Sequence, residues 1–412
     1  MRNDPLKVVQ INSSCEFGST GRITVEISKK LDARGIENYI FYSGNRKSQE
    51  KNGVLINSKL SIRVHQFLSR ILGDQGWHSY FSTRRLVRRL NKIMPDIIHL
   101  HNLHGYYLHI GVLFSYLSNT NAKIIWTLHD CWAFTGHCAH FTGVECDKWK
   151  EHCGDCPQKK EYPYSCFWDR SSILFERKKR LYNAVPNMTI TTVSEWLGNV
   201  TAQSKLLQTH NICVIPNGVD IQIFRPRTPL KKINNIDISN KQVILGVANV
   251  WSDRKGLSDF KKLSCMISND FVIVLVGVKK EQQIDMPRNI ICVERTASVA
   301  VLAELYSTAS VYFNASIEET FGLTTIEAMA CGTPVITYQS TACAEPVTSN
   351  TGIVVNPKDL EGVWLAIQKI CSEGKNHFFD ACREHVIQKY TAERIYTQYV
   401  DLYFDRQERI NA

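Results

Sequence analysis

Residues 310–339 read SVYFNASIEETFGLTTIEAMACGTPVITYQ, and the reading of this stretch decides the fold. An apolar run around Val311–Phe313 ends in polar residues, a loop carries Glu319, a helix-like segment carries Glu327, and a second apolar run begins at Val335. Seven residues separate the two carboxylates, which excludes a simple alternation of strand faces. A strand, a loop, a helix and another strand fit, as in one unit of a parallel α/β sheet. In such sheets ligands bind beyond the carboxyl ends of the strands, so Glu319 falls on a binding loop. Gly322 permits close approach of a ligand, and the amides of Thr320, Phe321, Gly322 and Leu323 at the helix entrance face phosphate oxygens. Glu327, about one turn into the helix, is placed to accept ribose hydroxyls. An arbitrary pair of glutamates is more often a solvated loop residue and a helix cap, so the surrounding residues must carry the functional case.

Working outward, the pattern recurs. Lys7–Asn12 is a short apolar run followed by the polar loop SSCEFGSTGR and then Ile23, Ile27 and Leu31 at helical spacing. IENYIFYS, DIIHLHN and AKIIWTLHD continue the series in the first half; QVILGVANV, FVIVLVGV, NIICVE, SVYFNAS and TPVITYQ repeat it in the second. Between the halves, VIPNGVDIQIFRPRTPLKKINN contains Pro216, Asn217, Gly218, Pro226 and Pro229, which break regular structure. Two α/β domains are expected, 1–216 and 217–412, with the boundary near residue 217. Val363, Ile367 and Ile370, then Ile395, Tyr399 and Leu402, predict amphipathic helices toward the C-terminus, the last of them packing back on the first domain.

The composition agrees with this plan. A chain of 412 residues with 44% hydrophobic content has material for two cores and is not a disordered protein. Its net charge of +10 suits a polyanion, an anionic membrane or a phosphorylated small molecule, and does not choose among them. No run approaches the roughly 20 apolar residues of a membrane span, and MRNDPLKVVQINSS lacks a signal-peptide core, so a cytoplasmic protein is expected.

The string E-x7-E followed by AMACGTPVI closely resembles the donor-site signature of glycosyltransferase family four. PNGVD at 216–220 is similar to that family's interdomain segment, FGSTGR at 17–22 to its N-terminal glycine loop, and LHD at 128–130 to its central histidine motif. The resemblance covers almost the whole chain. It implies the GT-B architecture, two Rossmann-like doubly wound domains facing a central cleft, acceptor side first and nucleotide-sugar donor side second. It implies a retaining transfer from a nucleoside diphosphate sugar to a glycan or lipid-linked acceptor, as in bacterial surface polysaccharide synthesis, without a catalytic metal. By the same resemblance Glu319 holds the donor sugar's hydroxyls and Glu327 the ribose. Gly18 and Gly21 lie near the donor phosphates, and His129 donates a hydrogen bond close to the transferred sugar. The acceptor attacks the face the nucleotide leaves, and the departing phosphate helps take the proton.

One departure stands out. In GVANVWSDRKG, Val250 occupies the place where the family's Arg aligns on the KG pair. Arg254, directly before Lys255, is expected to supply the guanidinium instead. Two cations facing a diphosphate would stabilise the charge that grows as the glycosidic bond breaks. Arg295 and Thr296 are candidates for contacts to the base.

Two features fall outside the resemblance. Residues 131–163 form an insertion with Cys131, Cys138, Cys146, Cys153 and Cys156 and three histidines. Cys153 and Cys156 make a C-x2-C knuckle, and with Cys138 and Cys146 they predict a structural zinc site, in which a His could replace one Cys; reduced core thiols or a redox pair are the alternatives. STRRLVRRLNKIMPD predicts a helix whose Arg84, Arg85, Arg88, Arg89 and Lys92 would meet an anionic inner-membrane surface if Leu86, Leu90 and Ile93 pack inward. Two competing functions follow from the same residues: a nucleotide-sugar epimerase on a similar scaffold, against which the EETFGLTTIEAMACGTPV string speaks, and a zinc-stapled nucleic-acid-binding protein. The mixed charge around the cysteines argues against the latter, and no nucleic-acid partner is expected.

Overall fold

The structure is a computed structural model, and it describes residues 6–44 and 46–404. It divides into two compact units: Met1–Pro216 together with Tyr396–Ala412, and Asn217–Ile395.

In the first unit, seven strands form one sheet: β1 (Lys7–Asn12), β2 (Glu37–Tyr42), β3 (Gly53–Leu55), β4 (Ile97–Leu100), β5 (Lys123–Leu128), β6 (Met188–Thr192) and β7 (Asn211–Val214). Their order is β3-β2-β1-β4-β5-β6-β7, and every pairing is parallel. Helices α1 (Gly18–Ala33), α2 (Lys59–Leu72), α3 (Tyr80–Ile93), α4 (Ile110–Leu117), α5 (Ser171–Asn183) and α6 (Glu195–Gln203) make the crossovers. Strands covered on both faces should be apolar throughout rather than alternating, and Val8, Val9, Ile11, Ile97, Ile98 and Leu100 are all buried.

The second unit opens with a short hairpin, β8 (Lys232–Ile233) and β9 (Ile236–Asp237), and then builds a six-stranded parallel sheet. Its strands are β10 (Gln242–Val247), β11 (Phe271–Val276), β12 (Ile290–Val293), β13 (Val311–Asn314), β14 (Val335–Tyr338) and β15 (Gly352–Val355), in the order β12-β11-β10-β13-β14-β15. Around it lie α7 (Leu257–Leu263), α8 (Lys280–Gln283), α9 (Val299–Thr308), α10 (Leu323–Ala330), α11 (Leu360–Glu373) and α12 (Lys375–Lys389). Ile244, Leu245, Ile273, Val274, Leu275, Val311 and Ile336 fill its core at zero exposure; each such side chain contributes roughly 1.5–3 kcal/mol over an exposed one.

Both sheets are doubly wound. The order reverses between β1 and β4 in one and between β10 and β13 in the other, and each reversal leaves a crevice beyond the strand ends where ligands bind. The PNGVD segment, from Asn217 on in the second unit, pairs with the residues that lead into the last helix, α13 (Ala392–Phe404): Val219 donates to Tyr390 O and Ala392 to Val219 O, both at 2.8 Å. A Cβ on Gly218 would stand 2.8 Å from Ala392 Cα, which is why glycine is required there. Helix α13 carries the chain back into the first unit from Tyr396; the final residues of the expected C-terminal helix, 405–412, lie outside the described residues. No described helix is long and apolar enough to cross a membrane.

Candidate functional site

The reversal between β10 and β13 brings two loops together. The first follows β10 and ends in a short turn, Asp253–Lys255, closed by Gly256 at φ 78°. The second follows β13 and runs from Ala315 to Gly322. They pack so closely that a Cβ on Gly256 would lie 2.3 Å from Ala315 Cβ and 2.4 Å from Ala315 O. Ile317 N donates to Arg254 O at 3.0 Å, and Arg254 Nη1 donates to Glu318 O at 3.2 Å.

Across this seam Lys255 Nζ bonds Glu319 Oε1, with the two side chains 21% and 18% exposed. Ser316 Oγ donates to the same carboxylate oxygen at 3.1 Å. Burial alone would raise the Glu319 carboxyl, but the charge and hydrogen bond of Lys255, with Arg254 and Ser316, outweigh it and hold the group below the usual carboxylate range. The site therefore keeps an anion and a cation side by side at neutral pH, both partly open to solvent. The segment after β14 fixes the backbone: Thr341 Oγ1 accepts from Glu319 N at 3.0 Å, and Ser340 Oγ donates to Ile317 O at 2.6 Å.

Helix α10 begins at Leu323 behind Gly322, which holds φ 82° and offers no capping side chain. The first-turn N–H groups thus lack a side-chain acceptor at the cap, and the helix dipole adds partial positive charge. Phe321 is buried, its ring 5.8 Å from that of Tyr390, so this side chain anchors the loop by packing. Glu327 is 5% exposed, and its Oε2 accepts from Tyr306 Oη at 3.0 Å. Tyr306 on α9 is thus a partner of the candidate ribose-binding carboxylate that the primary sequence did not single out; nor did it single out Ser316 or Thr341. Val250, at the position where a guanidinium was sought, is half exposed, and Arg254 spends one nitrogen on bracing the Glu319 loop. Arg295 and Thr296 lie on the loop after β12.

The remaining expected residues belong to the other unit. Gly18 starts α1 at φ 71° with open space around its Cβ direction, whereas a Cβ on Gly21 would come within 2.9 Å of Ser14 Oγ. The Ser13–Gly18 loop at the end of β1 therefore wraps tightly on the helix at Gly21 and opens at Gly18. His129 follows β5 and enters a chain of polar contacts. Gln10 Nε2 donates to Thr24 O at 2.9 Å, which turns Gln10 Oε1 toward His101 Nε2 at 3.2 Å. That oxygen only accepts, so His101 carries its proton on Nε2. Burial and neighbouring imidazoles keep His101 neutral, its pKa well below the ordinary value. Its Nδ1 then accepts from His129 Nε2–H at 3.2 Å. Burial also lowers His129 to about 4, against a raising effect from Asp130. The neutral ring thus directs its proton to His101 and keeps Nδ1 as the lone-pair nitrogen. Neighbouring Asp130 is pulled down to about 2: burial raises it, but His104, 2.6 Å away, and the Trp132 amide prevail.

The insertion does bring its cysteines together. Cys138, Cys146, Cys153 and Cys156 line one cavity of about 10 Å³ with His137 and Trp149. The Cys156 side chain raises the Cys138 thiol beside it and Cys138 in turn lowers that of Cys156, while Cys153 Sγ accepts from Gly136 N at 3.2 Å. Among the described residues, no group of three or more His, Cys, Asp or Glu side chains is arranged to hold a metal ion. The expected four-thiolate zinc site therefore finds no support in the geometry.

Comparison with known proteins follows this division. The family model "Glycosyltransferase Family 4" matches residues 20–223, and "Glycosyl transferases group 1" matches residues 241–373. The putative colanic acid biosynthesis glycosyl transferase WcaC of Escherichia coli is 19% identical, with 97% of this chain and 99% of that protein aligned. An N,N'-diacetylbacillosaminyl-diphospho-undecaprenol α-1,3-N-acetylgalactosaminyltransferase of Campylobacter jejuni is 24% identical over 35% of this chain and 40% of its own length. Among solved structures, sucrose-phosphate synthase of Thermosynechococcus elongatus superposes with TM-score 0.70 at 18% identity, covering 97% of this chain and 98% of its own. Anabaena Alr3699/HepE, solved with UDP and glucose, gives TM-score 0.64 at 14% identity over 96% and 99%. These likenesses identify the fold as GT-B.

Proposed function

Because this chain belongs to glycosyltransferase family four, and is a glycosyltransferase, we propose that it is a retaining enzyme. In this reading it moves a sugar from a nucleoside diphosphate sugar to a hydroxyl of a lipid-linked glycan, in the synthesis of a bacterial surface polysaccharide. The observation that carries the reading is the Lys255–Glu319 pair at the point where the second sheet reverses, beside the α10 entrance and Glu327. The second unit binds the donor and the first serves the acceptor. The Escherichia coli and Campylobacter jejuni relatives support the acceptor class by what their names state.

Glu327 accepts the ribose hydroxyls and Tyr306 orients it. Glu319 receives hydroxyls of the sugar. Lys255 faces the diphosphate, and its ammonium, already desolvated against Glu319, gains partner charge as the glycosidic bond lengthens; such a group acts on the transition state more than on the bound donor. Arg254 adds charge from the loop it braces, and the amides of Thr320 to Leu323 receive phosphate oxygens. In the first unit, Gly18 leaves the α1 entrance open to an anion, and Gly21 lets the loop after β1 close on the helix. His129, in the first unit, presents a neutral imidazole at the end of β5. The acceptor attacks the face from which the nucleotide departs, and the phosphate takes the acceptor's proton, so no carboxylate needs to form a covalent adduct. The work takes place at the cytoplasmic face of the membrane.

The test is a donor panel with a lipid-linked acceptor extract, read by mass spectrometry, with the product's anomeric configuration read by NMR. Transfer with inversion would refute the retaining assignment. Donor isomerised without an acceptor would favour an epimerase.

A further inference from the structure

The outward face of α2 divides lengthwise into two stripes. Leu60, Val64 and Phe67, four and three residues apart, form an exposed apolar stripe, with Leu60 71% and Phe67 63% exposed. Lys59, Arg63 and Arg70 form an exposed cationic stripe beside it. Ile62, His65 and Ser69 point inward. The start of helix α3 meets α2, with His65 Nδ1 2.8 Å from Ser79 Oγ and Ser61 Oγ 3.5 Å from Ser82 Oγ. Its Leu86 and Leu90 are buried, so Arg84, Arg85, Arg88 and Lys92 stand outward, with Phe81 at the helix start 84% exposed. The segment after the insertion adjoins α2: Cys166 N donates to Arg70 O at 2.7 Å, and the next two residues, Phe167 and Trp168, are exposed. Neither α2 nor α3 contains an acidic side chain, while together they carry eight Lys and Arg.

We propose that the outer faces of α2 and α3, with Phe167 and Trp168, dock this enzyme on an anionic lipid bilayer. The proposal rests on the reading of a lipid-linked acceptor and names the surface that would meet it. A nucleic acid would be served by the cations alone and gives no reason for a continuous apolar stripe beside them. A bilayer with anionic headgroups meets both: the apolar stripe enters the headgroup boundary while the cations stay at the phosphates. Lysine and arginine stems beside the stripe extend its apolar contact while keeping their heads at the surface. The surface lies in the unit expected to serve the acceptor.

Co-sedimentation of the full chain with vesicles tests this. The wild type should pellet with phosphatidylglycerol–phosphatidylcholine vesicles and not with phosphatidylcholine alone, and added salt should release it. Leu60→Gln with Phe67→Gln should lower the partition coefficient by about tenfold or more, because two buried apolar contacts are lost. Arg84→Gln with Arg85→Gln and Arg88→Gln should lower it by a similar factor through headgroup charge. All of these side chains are exposed, so thermal unfolding and nucleoside diphosphate binding should be unchanged. Equal binding by both variants would overturn this surface and leave the lipid-linked acceptor standing. No binding of the wild type to anionic vesicles, or binding to single-stranded DNA instead, would overturn membrane docking altogether. Failure of the transferase reading is separately visible as absence of nucleoside diphosphate binding in the wild type.

Discussion

Replacing Lys255 by alanine removes the side chain that bonds Glu319 directly and, in the proposed reading, faces the diphosphate. With the pair about four-fifths buried, little water is available to substitute for the lost ammonium. A preorganised group of this kind at a developing anion is worth about 2.7–4 kcal/mol, so kcat should fall roughly 10²–10³-fold while KM for the donor changes much less. A second consequence follows from Glu319 itself. Burial already pushes its carboxyl upward and Lys255 is the largest opposing influence, so the variant's Glu319 should titrate at higher pH than in the wild type. The acid limb of the rate profile should move up accordingly. Partial solvent access keeps the folding cost below the roughly 3–5 kcal/mol of breaking a fully buried pair, and circular dichroism with a melting curve checks that the variant is folded. The assay is transfer at saturating donor across a pH series, with Lys255→Arg alongside to hold the charge constant. A folded Lys255→Ala enzyme with kcat within about threefold of wild type would refute the assignment, since a transition-state contact of this kind should cost far more.

Other consequences are equally concrete. Tyr306→Phe removes the hydroxyl that donates to Glu327 Oε2 and should weaken nucleotide binding by about 0.5–1.5 kcal/mol in calorimetry; unaltered affinity would detach Tyr306 from the site. Gly256→Ala must adopt φ 78° and drive a Cβ into Ala315, so urea unfolding should show a loss of at least about 1–2 kcal/mol together with reduced transfer, and wild-type stability would contradict the tight seam between the two loops. Buried His65 and His99 are lowered from 6.5 to about 3 by burial. The unfolded chain therefore binds more protons between these values, and the melting temperature should hold above about pH 6.5 and fall progressively as pH drops toward about 3; a flat melting temperature over that window would refute their neutral, buried state.

The strands legible in the sequence are those whose apolar runs are uninterrupted, such as Val243–Leu245 and Val272–Val276. β6 escaped because its MTITT segment looks polar: Thr191 is fully buried yet satisfied by Thr127 Oγ1 at 2.5 Å, which in turn meets His99 Nε2 at 2.6 Å. A hydroxyl ladder inside a sheet leaves no hydropathy signal. β3, β7 and β15 are short edge strands, where half-exposed residues carry little pattern. Glu319 and Lys255 were each found from local spacing, but the bond joining them spans 64 residues and depends on which strands adjoin. The same holds for Tyr306 on Glu327 and for the Gln10–His101–His129 chain, whose members come from β1 and the ends of β4 and β5, far apart in the sequence. The Cys-x2-Cys spacing was equally visible, and all four cysteines line one cavity, yet among the described residues no three metal-ligating side chains are arranged to hold an ion.

The central claim is that the second unit holds a nucleoside diphosphate where β10 and β13 diverge. Calorimetric titration of UDP, GDP and ADP into the wild type and into Glu327→Ala tests it most directly. One of the three should bind the wild type with a clear preference over the others, and Glu327→Ala should weaken that binding about tenfold or more through lost ribose hydrogen bonds. Binding of none of them, or equal affinity in both proteins, would contradict the account.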